Sequence, residues 1–209
     1  MKKLIPGALL ATCAFALAAP TALAQGTSSP LVGMNAFNIS PDGLYAVGTD
    51  AGGAAIWSLG VISPIVGGSG YPEAVSAGGL VVGGEAQDPI LGQDTPAWWL
   101  STSPLAWMSL GQHQSLGGGC PDHGTVFATS DDGSVLGGML WDGCGTDAFT
   151  WTAAGGYLIH QDTLDSARIN GVSTLGDASG GWVQTSSRQA ALWDAAGNLT
   201  QPFAVSHPG

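Results

Sequence analysis

Residues 125–162 read TVFATSDDGSVLGGML, then WDGCGT, then DAFTWTAAGGYLIHQD. Two short β-branched and apolar runs flank Asp131-Asp132-Gly133, a hairpin signal. A polar loop follows, then a third run ending in Trp151 and a turn at Ala153 to Gly156. The fourth run is Tyr157 to His160. The pattern predicts four short antiparallel strands in succession: inner, second, third and outer.

The same unit recurs through the chain. ISPDGLYAVG, VSAGGLVVGG, TSDDGSVLGG and VSTLGDASGG align without gaps. The shared serines are Ser40, Ser76, Ser130 and Ser173, and the shared tenth residues are Gly48, Gly84, Gly138 and Gly181. Each segment precedes an apolar stretch that ends at Trp57, Trp99, Trp151 or Trp193, spaced by 42, 52 and 42 residues. A four-stranded unit at this period is the mark of a β-propeller blade. One small twisted sheet cannot cover its own faces, whereas sheets stacked on one another can. The predicted fold is therefore all-β: a propeller-like array of about four blades, near 35–68, 73–110, 124–162 and 168–205. The Gly-Gly pairs are expected to permit close sheet packing, and the tryptophans to fill space between blades. Three arrangements stay open: a small closed ring, part of a larger ring, or an open arc that must pair with something.

The N-terminus reads as a secretory signal. Lys2 and Lys3 precede an apolar run, and Ala22-Leu23-Ala24 offers a small-residue cleavage site before Gln25. Residues 25–34 read as a flexible leader and 206–209 as a tail. Removal of residues 1–24 leaves Arg168 and Arg188 against 15 carboxylates, a net charge of −13. Such a surface repels nucleic acid and anionic lipid. The expectation is a secreted or periplasmic protein with no membrane span after cleavage and no nucleic-acid partner. Cys120 and Cys144 remain, and in an oxidising compartment they read as one disulfide. Cys120 falls in the loop entering the third inner strand and Cys144 in the loop leaving the next strand. A blade puts both loops on one rim, so the pairing agrees with the strand register.

The longest connections, 85–95, 111–123 and 139–147, are expected on that same rim. They carry Glu85, Asp88, Asp94, His113, Asp122, His123, Trp141, Asp142 and Asp147. Long loops on one edge of a rigid scaffold are where binding concentrates. An aromatic ring beside a carboxylate, Trp141-Asp142, with His123 and Asp122 near it, is the candidate ligand site. Carbohydrate or protein is the partner class it would suit.

The pairing of Val75 to Gly84 with Ala148 to Trp151 resembles the extracellular repeat family named for its His-Ala-Phe (HAF) motif. The His position holds Asp147, Pro96 or Gln189 here, with Ala54 in the first repeat. The resemblance spans about 35–205 and implies export, a propeller-like fold and no established chemistry.

Catalytic motifs are weak. Asp131-Asp132-Gly133-Ser134 lacks the later Glu of a calcium loop and suits an ordinary turn. It also lacks the aromatic residue of a sialidase Asp-box, and two arginines are too few for a sialidase carboxylate site. His113, His123 and His160 show no local metal-ligand pair, and no Gly-x-Ser-x-Gly elbow exists. No catalytic residue, cofactor or metal is predicted. A non-catalytic exported binding or structural module is the leading expectation, with a carboxylate-based carbohydrate hydrolase or lyase as the alternative.

Overall fold

The computed structural model describes residues 31–65, 70–88, 90, 92–100, 108–110, 123–141, 145–160, 166–184 and 186–203. Among the described residues sixteen strands form four antiparallel meanders. The first comprises β1 (Asn35–Ile39), β2 (Tyr45–Asp50), β3 (Gly53–Ser58) and β4 (Val61–Pro64). The second comprises β5 (Gly70–Val75), β6 (Val81–Gln87), β7 (Asp94–Leu100) and β8 (Met108–Ser109). The third comprises β9 (His123–Thr129), β10 (Val135–Trp141), β11 (Thr146–Thr152) and β12 (Gly156–His160). The fourth comprises β13 (Ser166–Val172), β14 (Ala178–Gln184), β15 (Arg188–Asp194) and β16 (Leu199–Phe203). The propeller-like class read from the sequence is the observed one. The third and fourth sheets are additionally joined, because Thr146 of β11 pairs in parallel with Ser166 of β13. The Thr146 hydroxyl reinforces this by donating to the Ala167 carbonyl, 3.0 Å away.

The shared serines are turn chemistry. Each of Ser40, Ser76, Ser130 and Ser173 accepts a hydrogen bond at its side-chain oxygen from the first amide of the following strand, at 3.0, 2.9, 3.0 and 3.1 Å. Three of those hydroxyls donate to a turn carboxylate: Ser40 to Asp42, Ser130 to Asp132 and Ser173 to Asp177. Asp132 also accepts from the amide and hydroxyl of Ser134. Hydrogen bonds from Ser130 first, then Ser134, hold its carboxyl down at a pKa of about 2. The Asp131-Asp132-Gly133 carboxylates thus serve a hairpin, closed by Gly133 at φ +74°.

Every inner strand carries one β-bulge at the same place. The pairing slips at Phe37 in β1, Glu73 in β5, Phe127 in β9 and Asn170 in β13. Two residues before each bulge, an inner-strand carbonyl crowds the second strand. A Cβ at Gly48, Gly84, Gly138 or Gly181 would fall 1.9–2.1 Å from the carbonyl oxygen of Asn35, Tyr71, Thr125 or Arg168. That is the physical reason for glycine at the tenth repeat position.

The core lies between sheets. Val47, Ile56 and Ile65 of the first meet Val75, Val82 and Trp99 of the second. Ala74 and Val81 of the second meet Val126, Leu136 and Phe149 of the third. Ala148 of the third meets Ile169, Val183 and Trp193 of the fourth. Trp99, Trp151 and Trp193 each face the preceding sheet. Trp57, their register equivalent in the first sheet, is half-buried and joins none of these clusters. Inner strands lie side by side in sequence, β1 by β5, β5 by β9 and β9 by β13. Among the described residues, β13 and β1 make no comparable contact.

Candidate functional site

The inner strands begin, and the second strands end, at one rim. Two of the four predicted ligand residues are described there. His123 opens β9 and Trp141 closes β10, and they are direct cross-strand partners. Their rings lie 5.8 Å apart at 39°, and Trp141 is 45% exposed. Trp141 therefore ends a strand instead of sitting in a loop, because its backbone also pairs with Thr146. Glu85 and Asp94 likewise lie in β6 and β7, so the expected loop 85–95 is shorter, and Asp147 lies in β11. Asp122 and Asp142 lie outside the described residues, as do Cys120, Cys144 and His113.

A second cluster sits along the inner edge, built largely on the bulges. Arg168 of β13 lays its guanidinium over the Phe127 ring, 4.1 Å from the centroid. Its Nε donates to Asn170 Oδ1 at 2.9 Å. Arg188 of β15 stacks in the same way on Trp182 of β14, also at 4.1 Å. A cation over an aromatic face gains about 0.5–2 kcal/mol, more as water is excluded. The two cations are close enough to repel. Burial first, then the Arg188 charge, lowers the Arg168 pKa from its usual high value, and Glu73 opposes the shift.

One carboxylate of the second sheet, Glu73, lies within electrostatic reach of Arg168. Glu73 of β5 has its pKa raised, by burial first and by the Glu85 charge next, with Arg168 opposing. Glu85 Oε2 accepts the Thr125 hydroxyl at 2.5 Å. The Glu73 carbonyl accepts the Asn38 side-chain amide at 2.7 Å, tying β1 to β5. Strands of all four sheets thus contribute. The arrangement offers a forked cation for a carboxylate or phosphate, acidic groups for an amine, and aromatic faces between them.

Sequence reasoning missed Glu73, Phe127, Arg168 and Asn170. The available signal was the repeat itself. Phe37, Glu73, Phe127 and Asn170 stand three residues before the shared serine in every copy. Among the described residues no group of three His, Cys, Asp or Glu side chains is placed to hold a metal. A depression of about 390 Å³ beside Leu31, Met34, Asn35 and Asp50 lies apart from this cluster.

His160, the last residue of the predicted fourth strand, closes β12 and is buried, 2% exposed. Its Nε2 lies 3.0 Å from the Thr150 hydroxyl and its ring meets Trp193 edge-on at 5.6 Å. Its Nδ1 has no hydrogen-bond partner among the described residues. Burial pushes its pKa down from 6.5 to about 4. The folded state therefore holds His160 neutral while the unfolded chain takes up a proton near pH 6.5. Its contribution is fully present above pH 6.5 and is lost as pH falls toward 4, by up to about 3 kcal/mol. Urea midpoints measured between pH 7 and 4.5 are expected to fall accordingly, and a His160→Phe variant to show a flatter profile. Asp42, Asp132 and Asp194, with lowered pKa values, act below this window as pH drops through 3.8 and beneath. Glu73, with a raised pKa, acts in the opposite sense above 4.5 and is common to both proteins.

No protein-family model matches this chain, and no curated protein does. Among solved structures it is similar to a protein described as TolB from Agrobacterium tumefaciens, at 16% identity and a TM-score of 0.52. That match covers 77% of this chain and 61% of the other. TolB from Acinetobacter baumannii aligns at 14% identity and a TM-score of 0.54, over 78% of this chain and 42% of that one. The chain thus spans 61% or less of either protein's length. At these identities the likeness is one of fold, the β-propeller.

Proposed function

We propose that this chain is an exported, non-catalytic binding module that grips an extended, charged polypeptide segment at the inner edge of its rim. The observation carrying this reading is Arg168, one of two arginines left after signal removal. It is stacked on Phe127, tethered to Asn170 and within electrostatic reach of Arg188 and of Glu73, which in turn feels the Glu85 charge. In a chain this acidic, two guanidiniums brought within repulsive reach of each other favour an anionic group between them. Opposed charges along one edge suit a backbone carrying both signs. Export rests on the basic, apolar start of residues 1–24. Kinship with the HAF-repeat group rests on the Ala148-Phe149-x-Trp151 pattern and the Gly-Gly positions. The rim pair His123–Trp141, with Asp122 and Asp142 beside it in sequence, would extend the surface outward.

The test is a library of charged heptapeptides screened against the purified protein. Arg168→Ala should weaken the best binder about tenfold or more, the scale of one lost charge-assisted contact. Unchanged peptide affinity in that variant would remove the proposal. Glycan retention that depends on Trp141 and ignores Arg168 would point to carbohydrate instead.

A second reading is favoured by one observation. Glu73, whose pKa is raised, lies within electrostatic reach of Glu85, as in a glycosidase acid and its partner carboxylate. Polysaccharide turnover abolished by both Glu73→Gln and Glu85→Gln would establish it.

A further inference from the structure

The three internal sheet-to-sheet interfaces obey one rule. The turn glycine of each sheet sits against the first residue of the preceding sheet's second strand. A Cβ at Gly79, Gly133 or Gly176 would lie 2.4 Å from Tyr45, Val81 or Val135 respectively. At the second and third interfaces an inner-strand apolar residue also sits against a second-strand glycine, whereas Val47 holds that position in the first sheet. A Cβ at Gly83 would meet Val126 at 2.4 Å, and one at Gly137 would meet Ile169 at 2.6 Å and Val172 at 2.8 Å. Turns are also linked: the Ala77 amide donates to the Asp131 carbonyl, and the Asp131 amide to the Thr174 carbonyl.

Both ends of the array carry the same parts without partners among the described residues. At the leading end, Gly43 has nothing within 4 Å of a Cβ, and Ala36 and Ile39 are exposed. Their register equivalents Val126 and Ile169, and Val75, are buried. At the trailing end, Ala178 and Leu192 are exposed, and a Cβ at Gly180 would approach only its own sheet. Gly180 is the equivalent of Gly83 and Gly137, and Leu192 pairs with it across β14 and β15. None of these residues is charged. Pro41 cannot donate an amide, but its carbonyl can accept from the Thr174 amide as Asp131 accepts from Ala77.

We infer that the leading face of one chain docks on the trailing face of a second copy, twice, closing a two-chain ring. The occupant follows from the chain itself, since these two kinds of face pair with each other three times inside it. Head-to-tail contacts close into a ring or run on as a filament. Two copies of four sheets give eight blades, within the usual four to eight of closed propellers. Gly43 of one copy would cover Ala178 of the other, and Ile39 would lie over Gly180 beside Leu192.

Light scattering on the purified full chain is expected to give twice the mass of one chain. Ile39→Glu alone and Leu192→Arg alone should each halve that mass, because every homodimer then has two disrupted interfaces. Mixing the two variants should restore the doubled mass, since the mixed pair has one intact interface and one with opposite charges. Circular dichroism on each variant separates misfolding from dissociation. As a second measurement, Gly43→Cys/Ala178→Cys in one chain should yield a disulfide between chains on non-reducing gels. A monomer at all concentrations would overturn the inference, whether Ile39 is open or covered by the chain's own residues. So would a filament, a cross-link within one chain, or failure of the mixture to reassociate. Peptide binding by a stable monomer would leave the proposed function standing.

Discussion

Gly138→Ala is expected to destabilise the fold by at least about 3 kcal/mol in urea unfolding. The new methyl would sit 2.0 Å from the Thr125 carbonyl oxygen and 2.9–3.0 Å from the Phe149 ring. The oxygen belongs to the partner strand's backbone, so no rotamer change relieves the clash. Relief requires undoing the bulge at Phe127, which would shift the register of β9 against β10. Overpacking of a tight site costs about 1–3 kcal/mol, and a backbone obstacle puts this case at the upper end or above. Gly171→Ala is the control, because nothing lies within 4 Å of its Cβ position and no positive φ is imposed. It should be neutral within about 0.5 kcal/mol.

Trp193→Ala should cost about 3–5 kcal/mol. Its ring is 1% exposed and packs among Ala148, Ala167, Ile169, Val183 and Ala191, with the His160 ring edge-on. Truncation would open a cavity spanning two sheets and expose the His160 ring to it. Trp57→Ala should cost about half as much or less. Trp57 holds the same place in its sheet, opposite Ala46 as Trp193 is opposite Ser179. Among the described residues no preceding sheet covers it. Unfolding monitored by circular dichroism, with the monomer isolated by Ile39→Glu, compares the two. Equal costs would mean that sheet-to-sheet packing is not what buries these rings.

The parts that were legible in the sequence are those whose chemistry is local. Ser-x-x-Gly turns, Gly-Gly pairs and Trp-terminated strands each specify a piece of one meander, so a repeat of them specifies the array. The inner-edge cluster was not legible, because it depends on register. One inserted residue per inner strand sets Phe37, Glu73, Phe127 and Asn170 along that edge, and it displaces no apolar residue that would betray it. Strand ends were misplaced for a related reason. Glu85, Asp94 and Trp141 read as loop residues because their side chains reach the rim, yet their backbones complete ladder bonds. The parallel bridge from Thr146 to Ser166 had no sequence mark, since one pair of residues makes it. The burial of His160 had no local mark, because it comes in part from the next sheet's Trp193, 33 positions away.

The central claim is that each sheet is covered by the next copy, with side chains of one fitted to glycines of the other. A double-mutant cycle between Gly83 and Val126, which lie in different sheets, measures this directly. A methyl at Gly83 would meet Val126 Cγ1 at 2.4 Å, so Gly83→Ala alone should be costly. Val126→Ala removes that Cγ1 and leaves only the Cβ at 3.0 Å, so the double variant should recover at least about 1 kcal/mol over the sum of the single costs. Costs that simply add, within about 0.5 kcal/mol, would contradict the stacked arrangement.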